Sequence, residues 1–140
     1  MPDENLTDDD VLEAATALVA AFRATDTRAY FDSFAEDATF VFHTEQRRLD
    51  NRADYERLWD GWIADGWRVT ECNSSNPRVQ LLGDTAVFTH DVRTTTALDG
   101  ASDTTRERET IVFRRSGTAL KAVHEHLSPV PAEAPEGNTP

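Results

Sequence analysis

Apolar residues recur at helical spacing as Val11, Leu12, Ala15, Leu18, Val19 and Phe22, which predicts an amphipathic helix running to about Arg23. Thr7 marks its start, because the hydroxyl can cap free amides. Asp8, Asp9 and Asp10 then suit the positive end of the helix dipole. A shorter helix is predicted over 27–34, with Tyr30, Phe31 and Phe34 on its buried side. Residues 38–43, rich in β-branched and aromatic side chains, read as a strand. An Arg-rich polar loop follows, then a third helix over 52–64 carrying Tyr55, Leu58, Trp59 and Trp62. After Gly66 the pattern is one of strands. They span 67–82 (interrupted at Asn76-Pro77, since proline breaks a ladder), 85–97, 104–115 and 119–128. Residues 129–140 are Pro-rich and aperiodic and read as a disordered tail. Residues 1–6 read as a flexible start, which leaves one domain over 1–128.

Helices first and a strand meander afterwards predict an α+β arrangement with the helices gathered on one sheet face. Along 85–97 one face carries Val87, Thr89, Asp91, Arg93 and Thr95, the other Phe88, His90 and Val92. Along 104–115 one face carries Arg106, Arg108, Thr110 and Val112, the other Glu107, Glu109, Ile111 and Phe113. Neither face is cleanly apolar, as a half-solvated sheet would be. Phe88, Ile111 and Phe113 therefore need cover, and a homodimer is expected.

Composition narrows the function classes. A chain of 140 residues with 39% hydrophobic content suits one globular domain. A formal net charge of −12 argues against nucleic acid and anionic membranes as partners. No apolar run reaches the ~20 residues of a membrane span, and the acidic N-terminus does not read as an export signal. Cys72 is the single cysteine, so it forms no internal disulfide, and a cytoplasmic location is expected.

A loop at Ser116-Gly-Thr118 would set Thr110 opposite His124 and Arg108 opposite His126. Arg108, Thr110, His124, His126 and Ser128 then share one face. Arginine can hold an anion, and histidine can donate or shuttle a proton. The same groups could equally form a hydrogen-bond network that only shapes the sheet. His43 closes the first strand near the expected pocket mouth, and Tyr30 is a further candidate lining residue.

Tyr55-Glu-Arg-Leu-Trp59, Asn76-Pro77, Leu82-Gly-Asp84, Arg93, Glu109-Thr110, Arg114-Arg115 and Val123-His-Glu-His-Leu-Ser128 occur in order over about half the chain. In this the sequence resembles the association domain of calcium/calmodulin-dependent kinase II and its stand-alone bacterial relatives in the SnoaL-like, nuclear transport factor 2-like superfamily. The resemblance implies a cone-shaped, cystatin-like fold: a curved antiparallel sheet, mixed at its edge, wrapped around three helices and a small-molecule pocket. It matches Arg93 to a pocket arginine and Trp59 to a pocket tryptophan, and brings Asp91 to the same face as Arg93. A second family arginine falls on Thr110, a family histidine near Asn51, and the tryptophan of the final hairpin near Leu120.

The implied function is binding of a small ligand, a carboxylate among the options, with ligand contacts from Arg93, Arg108, Thr110, Trp59, His43 and Tyr30. If catalytic, the domain would be a cofactor-independent isomerase, dehydratase or polyketide cyclase. Asp91 would be the base unless it is only the counter-ion of Arg93, with His124 or His126 as its partner. The alternative is a non-catalytic association module. No cofactor is expected. No metal is expected either: His124-x-His126 with His43 and Asp91 has the right side chains, but the same His-x-His belongs to the kinase association domain.

Overall fold

The protein is described by a computed structural model covering residues 5–131. Three helices, α1 (Asp8–Arg23), α2 (Thr27–Asp32) and α3 (Arg52–Ala64), lie against one five-stranded curved sheet. Its strands are β1 (Phe34–Phe42), β2 (Arg68–Leu82), β3 (Thr85–Leu98), β4 (Ala101–Ser116) and β5 (Ala119–Pro129), in the spatial order β1-β5-β4-β3-β2. The α+β expectation holds, and so does the mixed edge: β1 runs parallel to β5 while every other pair is antiparallel.

Local chemistry fixes the ends of the elements. Thr7 Oγ1 accepts from the Asp10 amide at 3.2 Å and Asp10 Oδ2 accepts from the Thr7 amide at 3.0 Å, a reciprocal cap. Asn51 Oδ1 does the same for α3, accepting from the Asp54 amide at 2.8 Å. Such caps contribute about 1 kcal/mol each. Arg23 Nε donates to the Cys72 carbonyl at 2.9 Å and ties the end of α1 to β2.

One core fills the space between helices and sheet. Val11, Ala15 and Leu18 of α1, Tyr30, Phe31, Phe34, Phe40, Tyr55 and Trp59 meet Ala86, Phe88, Ile111, Phe113 and Ala122 of the sheet. Phe88, Ile111 and Phe113 are therefore already covered by the chain's own helices, and the argument that they require a second copy is withdrawn. Leu6, expected in a flexible start, is also buried, and its amide donates to the Gly83 carbonyl at 3.2 Å. Pro129 belongs to β5, and the rest of the expected tail beyond Pro131 lies outside the described residues, as do residues 1–4.

Two irregularities position the later side chains. β2 breaks register between Ser75 and Arg78, where Asn76 sits at a positive φ of 53° ahead of Pro77. The β4–β5 turn is Gly117-Thr118, not a three-residue loop, and Gly117 takes φ +63° as such a tight turn demands. A bulge then inserts Val123, so Phe113 faces Ala122 while Val112 faces His124. The net effect moves the pairing two residues from expectation: Thr110 lies opposite His126 and Arg108 opposite Ser128. A two-residue shift preserves which side chains share a face.

Candidate functional site

The helix-facing side of the sheet encloses a cavity of about 180 Å³. Leu18, Val19 and Phe22 come from α1, Tyr30 from α2, Tyr55 and Trp62 from α3. The sheet supplies Phe42, Cys72, Val92, Thr94, Glu107, Glu109, Glu125 and Leu127, and Trp67 sits just before β2. Exposed Thr44 and Thr105 mark the open end, and buried Tyr30, Glu109 and Glu125 the closed one. Trp62 and Trp67 pack against each other at one wall, their ring centroids 5.2 Å apart and their planes tilted by 52°.

Two carboxyl groups meet at the closed end. Glu109 is 7% and Glu125 3% exposed, and their side chains share a hydrogen bond. Burial pushes the Glu125 carboxyl well above the usual range, and the neighbouring Glu109 charge pushes the same way. Burial also works against ionised Glu109, but hydrogen bonds from Glu125 and His90 more than offset it, so its value is lowered. The two shifts run in opposite directions, which favours the proton on Glu125 and the negative charge on Glu109. Glu125 Oε1 is a buried side-chain polar atom without a partner among the described residues.

His90, fully buried on β3, fixes Glu109 from below. Its Nε2 lies 2.6 Å from Glu109 Oε1 and its Nδ1 2.5 Å from Ser74 Oγ on β2. The Tyr30 and Tyr55 hydroxyls are 2.9 Å apart, and burial pushes both upward, so they remain protonated. The Cys72 thiol is also raised by burial, and its Sγ lies 3.7 Å from Thr94 Oγ1, which makes it a poor nucleophile.

Most of the residues singled out in the sequence lie elsewhere. Asp91, Arg108, Thr110, His126 and Ser128 do come together, but in an open basin on the face turned away from the helices. Arg93 is exposed on that same face, opposite Arg106, and does not point into the cavity. The physical reason is parity: Phe88, His90, Val92 and Thr94 are the buried set on β3, so Asp91 and Arg93 must face out. His124 also faces out. Its Nδ1 lies 2.8 Å from Thr39 Oγ1, and burial, then the charge of His126, lower its value.

Trp59 is fully buried in the core, its Nε1 donating to Thr27 Oγ1 at 2.8 Å, and does not line the cavity. Trp62 and Trp67 take that place. Tyr30 lines the cavity as expected from its position, and His43 sits at the rim, Nε2 2.5 Å from Glu107 Oε2. The His43, Asp91, His124 and His126 set is not assembled. Among the described residues no cluster of three or more His, Cys, Asp or Glu side chains is spaced to hold a metal ion. His90, Glu109 and Glu125 were missed, although each sits in phase with apolar neighbours, which is the signature of a buried polar group.

Residues 11–133 match the family model of the SnoaL-like domain. The chain belongs to that family. Among solved structures, this SnoaL-like domain is similar to an NTF2-like protein of Rhodospirillum rubrum. They are 23% identical with a TM-score of 0.75, over 87% of this chain and 99% of the other. It is similar to the CaMKII hub of S. rosetta, 26% identical, TM-score 0.72, over 87% and 95%. It is also similar to a dehydratase candidate of the NTF2-like family from Streptomyces avermitilis, 23% identical, TM-score 0.76, over 89% and 96%. Comparison with curated proteins gives no match. Among the described residues no helix of the SnoaL-like domain is long and apolar enough to cross a membrane.

Proposed function

We propose that this SnoaL-like domain binds a small molecule in its cavity and acts on it by proton transfer without a cofactor, as an isomerase, dehydratase or polyketide cyclase. The observation that carries the reading is the Glu109–Glu125 pair: two carboxyl groups in one apolar cavity, held in opposite protonation states. Groups whose environments push their values apart are suited to act as base and acid. Glu109, ionised, takes a proton from carbon. The proton that Glu125 shared with it is then free to move to the substrate oxygen. In an isomerisation Glu109 returns its proton to a neighbouring carbon while the oxygen gives its proton back to Glu125; in a dehydration the protonated oxygen leaves as water, and the proton left on Glu109 restores the one-proton pair. His90 is a positioning residue that holds Glu109 in place.

Incubation of small hydroxy-ketones with the protein in heavy water tests this reading. Deuterium should enter at carbon in a protein-dependent way, and Glu109→Gln should abolish it. Bound compounds that acquire no deuterium would contradict catalysis.

The same reading includes self-association into a homodimer, and a buried Cys72 kept as a thiol suits a cytoplasmic setting. The likeness to the CaMKII hub favours a second reading, a module whose task is assembly. Mass measurement separates them, since a closed ring larger than a dimer would favour assembly.

A further inference from the structure

We propose that the cavity selects an uncharged molecule about the size of a single ring, bearing a hydroxyl that donates to Glu125, and that it rejects carboxylates. The inference rests on the cavity being the working site, as set out under Proposed function, and names the ligand class that site would take.

Three observations converge on it. The charged side chains lining the cavity are Glu107, Glu109 and Glu125, and no Arg, Lys or His stands among the lining residues. Arg93, the residue expected to hold a carboxylate, is exposed on the opposite face of the sheet. An anion entering the closed end would be stripped of water beside ionised Glu109 with no cation to replace that water, which is strongly unfavourable.

The second observation is the missing partner. Glu125 lines the cavity and is 3% exposed, yet its Oε1 has no hydrogen-bond partner among the described residues. The Glu125 carboxyl shares a hydrogen bond with Glu109, and its Oε1 receives no N–H or O–H from the described residues, so the carboxyl keeps room to accept from a ligand. The other buried polar groups nearby do not supply a donor. One hydroxyl of the Tyr30–Tyr55 pair donates to the other, no bond from either tyrosine to Glu125 Oε1 is formed, and His90 is taken up by Glu109 and Ser74.

The third is size and wall chemistry. Phe22, Phe42, Trp62, Trp67, Val92 and Leu127 make the walls apolar and largely aromatic. An apolar cavity of about 150 Å³ accommodates benzene, so the about 180 Å³ here holds one ring and a short substituent. In the dehydration set out under Proposed function the same hydroxyl would receive the Glu125 proton once Glu109 has taken one from carbon.

Calorimetric titration at neutral pH with benzyl alcohol, toluene and benzoate tests the inference on the wild type, Glu125→Met and Glu125→Gln. In the wild type, benzyl alcohol should bind at least as tightly as toluene, and benzoate should fail to displace it. Glu125→Met removes the acceptor but keeps the volume. It should lower the benzyl alcohol to toluene affinity ratio about five- to tenfold, the worth of one hydrogen bond. Glu125→Gln retains an oxygen acceptor and should keep the wild-type ratio. Displacement by benzoate, or an unchanged ratio in Glu125→Met, would overturn the ligand class while leaving the cavity as the working site. Failure of every ring compound to bind the wild type would remove the cavity reading and this inference together.

Discussion

Glu125→Gln should make the protein more stable at neutral pH, by an amount that grows as pH rises. The folded protein keeps the Glu125 proton because burial and the Glu109 charge raise its value, whereas the unfolded chain releases that proton in the ordinary carboxylate range. Below that range both states are protonated and the group costs nothing. Above it, and up to the raised folded value, the folded state binds one proton more than the unfolded one. Stability therefore falls by about 1.4 kcal/mol for each pH unit. Glutamine has nearly the same volume, keeps an N–H to donate to Glu109, and does not titrate. Glu109 moves in the opposite sense: its contribution is complete above the ordinary carboxylate range and fades only as pH falls through its lowered value. Above the ordinary carboxylate range Glu109 is thus constant in both proteins, and the Glu125 contribution stands alone up to its raised folded value. Urea unfolding of both proteins at about pH 5, 6 and 7 measures it. The stability gap should widen in favour of the variant by about 1.4 kcal/mol per unit. A gap that stays constant with pH would refute the assignment of the proton to Glu125.

His90→Leu should destabilise the protein by about 1.5–3 kcal/mol in urea titration, because it removes one of the two hydrogen bonds to the buried Glu109 carboxylate. Arg93→Ala should change stability by no more than about 0.5 kcal/mol in the same assay, since the side chain is exposed and outside the cavity. Trp59→Ala should cost about 3–5 kcal/mol, as expected for a fully buried aromatic side chain in a close-packed core. Light scattering at micromolar concentration should return the mass of a dimer, and a monomer mass would remove the homodimer.

The elements were legible because helix and strand periods differ and each was strongly marked. Tyr55, Leu58, Trp59 and Trp62 at helical spacing place α3 at Arg52–Ala64, the range the pattern predicts. β1 begins at Phe34, four residues before the β-branched run, because Phe34 pairs with Ala122 ahead of an irregular stretch that carries exposed Glu36 and Asp37. The faces of β3 and β4 were harder. Period-two alternation separates two sets of side chains but does not say which set is inside. Here the inner set carries His90, Glu107 and Glu109, while the outer set carries Val87 and Val112. A resemblance that matched Arg93 to a pocket position then favoured the wrong side. Polar groups placed among core positions blur hydrophobic patterning where a site is built. The carboxyl pair was illegible for a further reason: its opposed protonation states arise from burial and from contact between β4 and β5, neither of which a linear sequence displays.

The protonation state of Glu125 in the native protein is the point on which everything else turns. Infrared spectroscopy at neutral pH, with Glu125→Gln as the subtraction, reads it directly. The account predicts a protonated carboxylic acid carbonyl band in the wild type that vanishes in the variant, with the carboxylate band of Glu109 present in both. A wild-type spectrum in which every glutamate is ionised at neutral pH would contradict it.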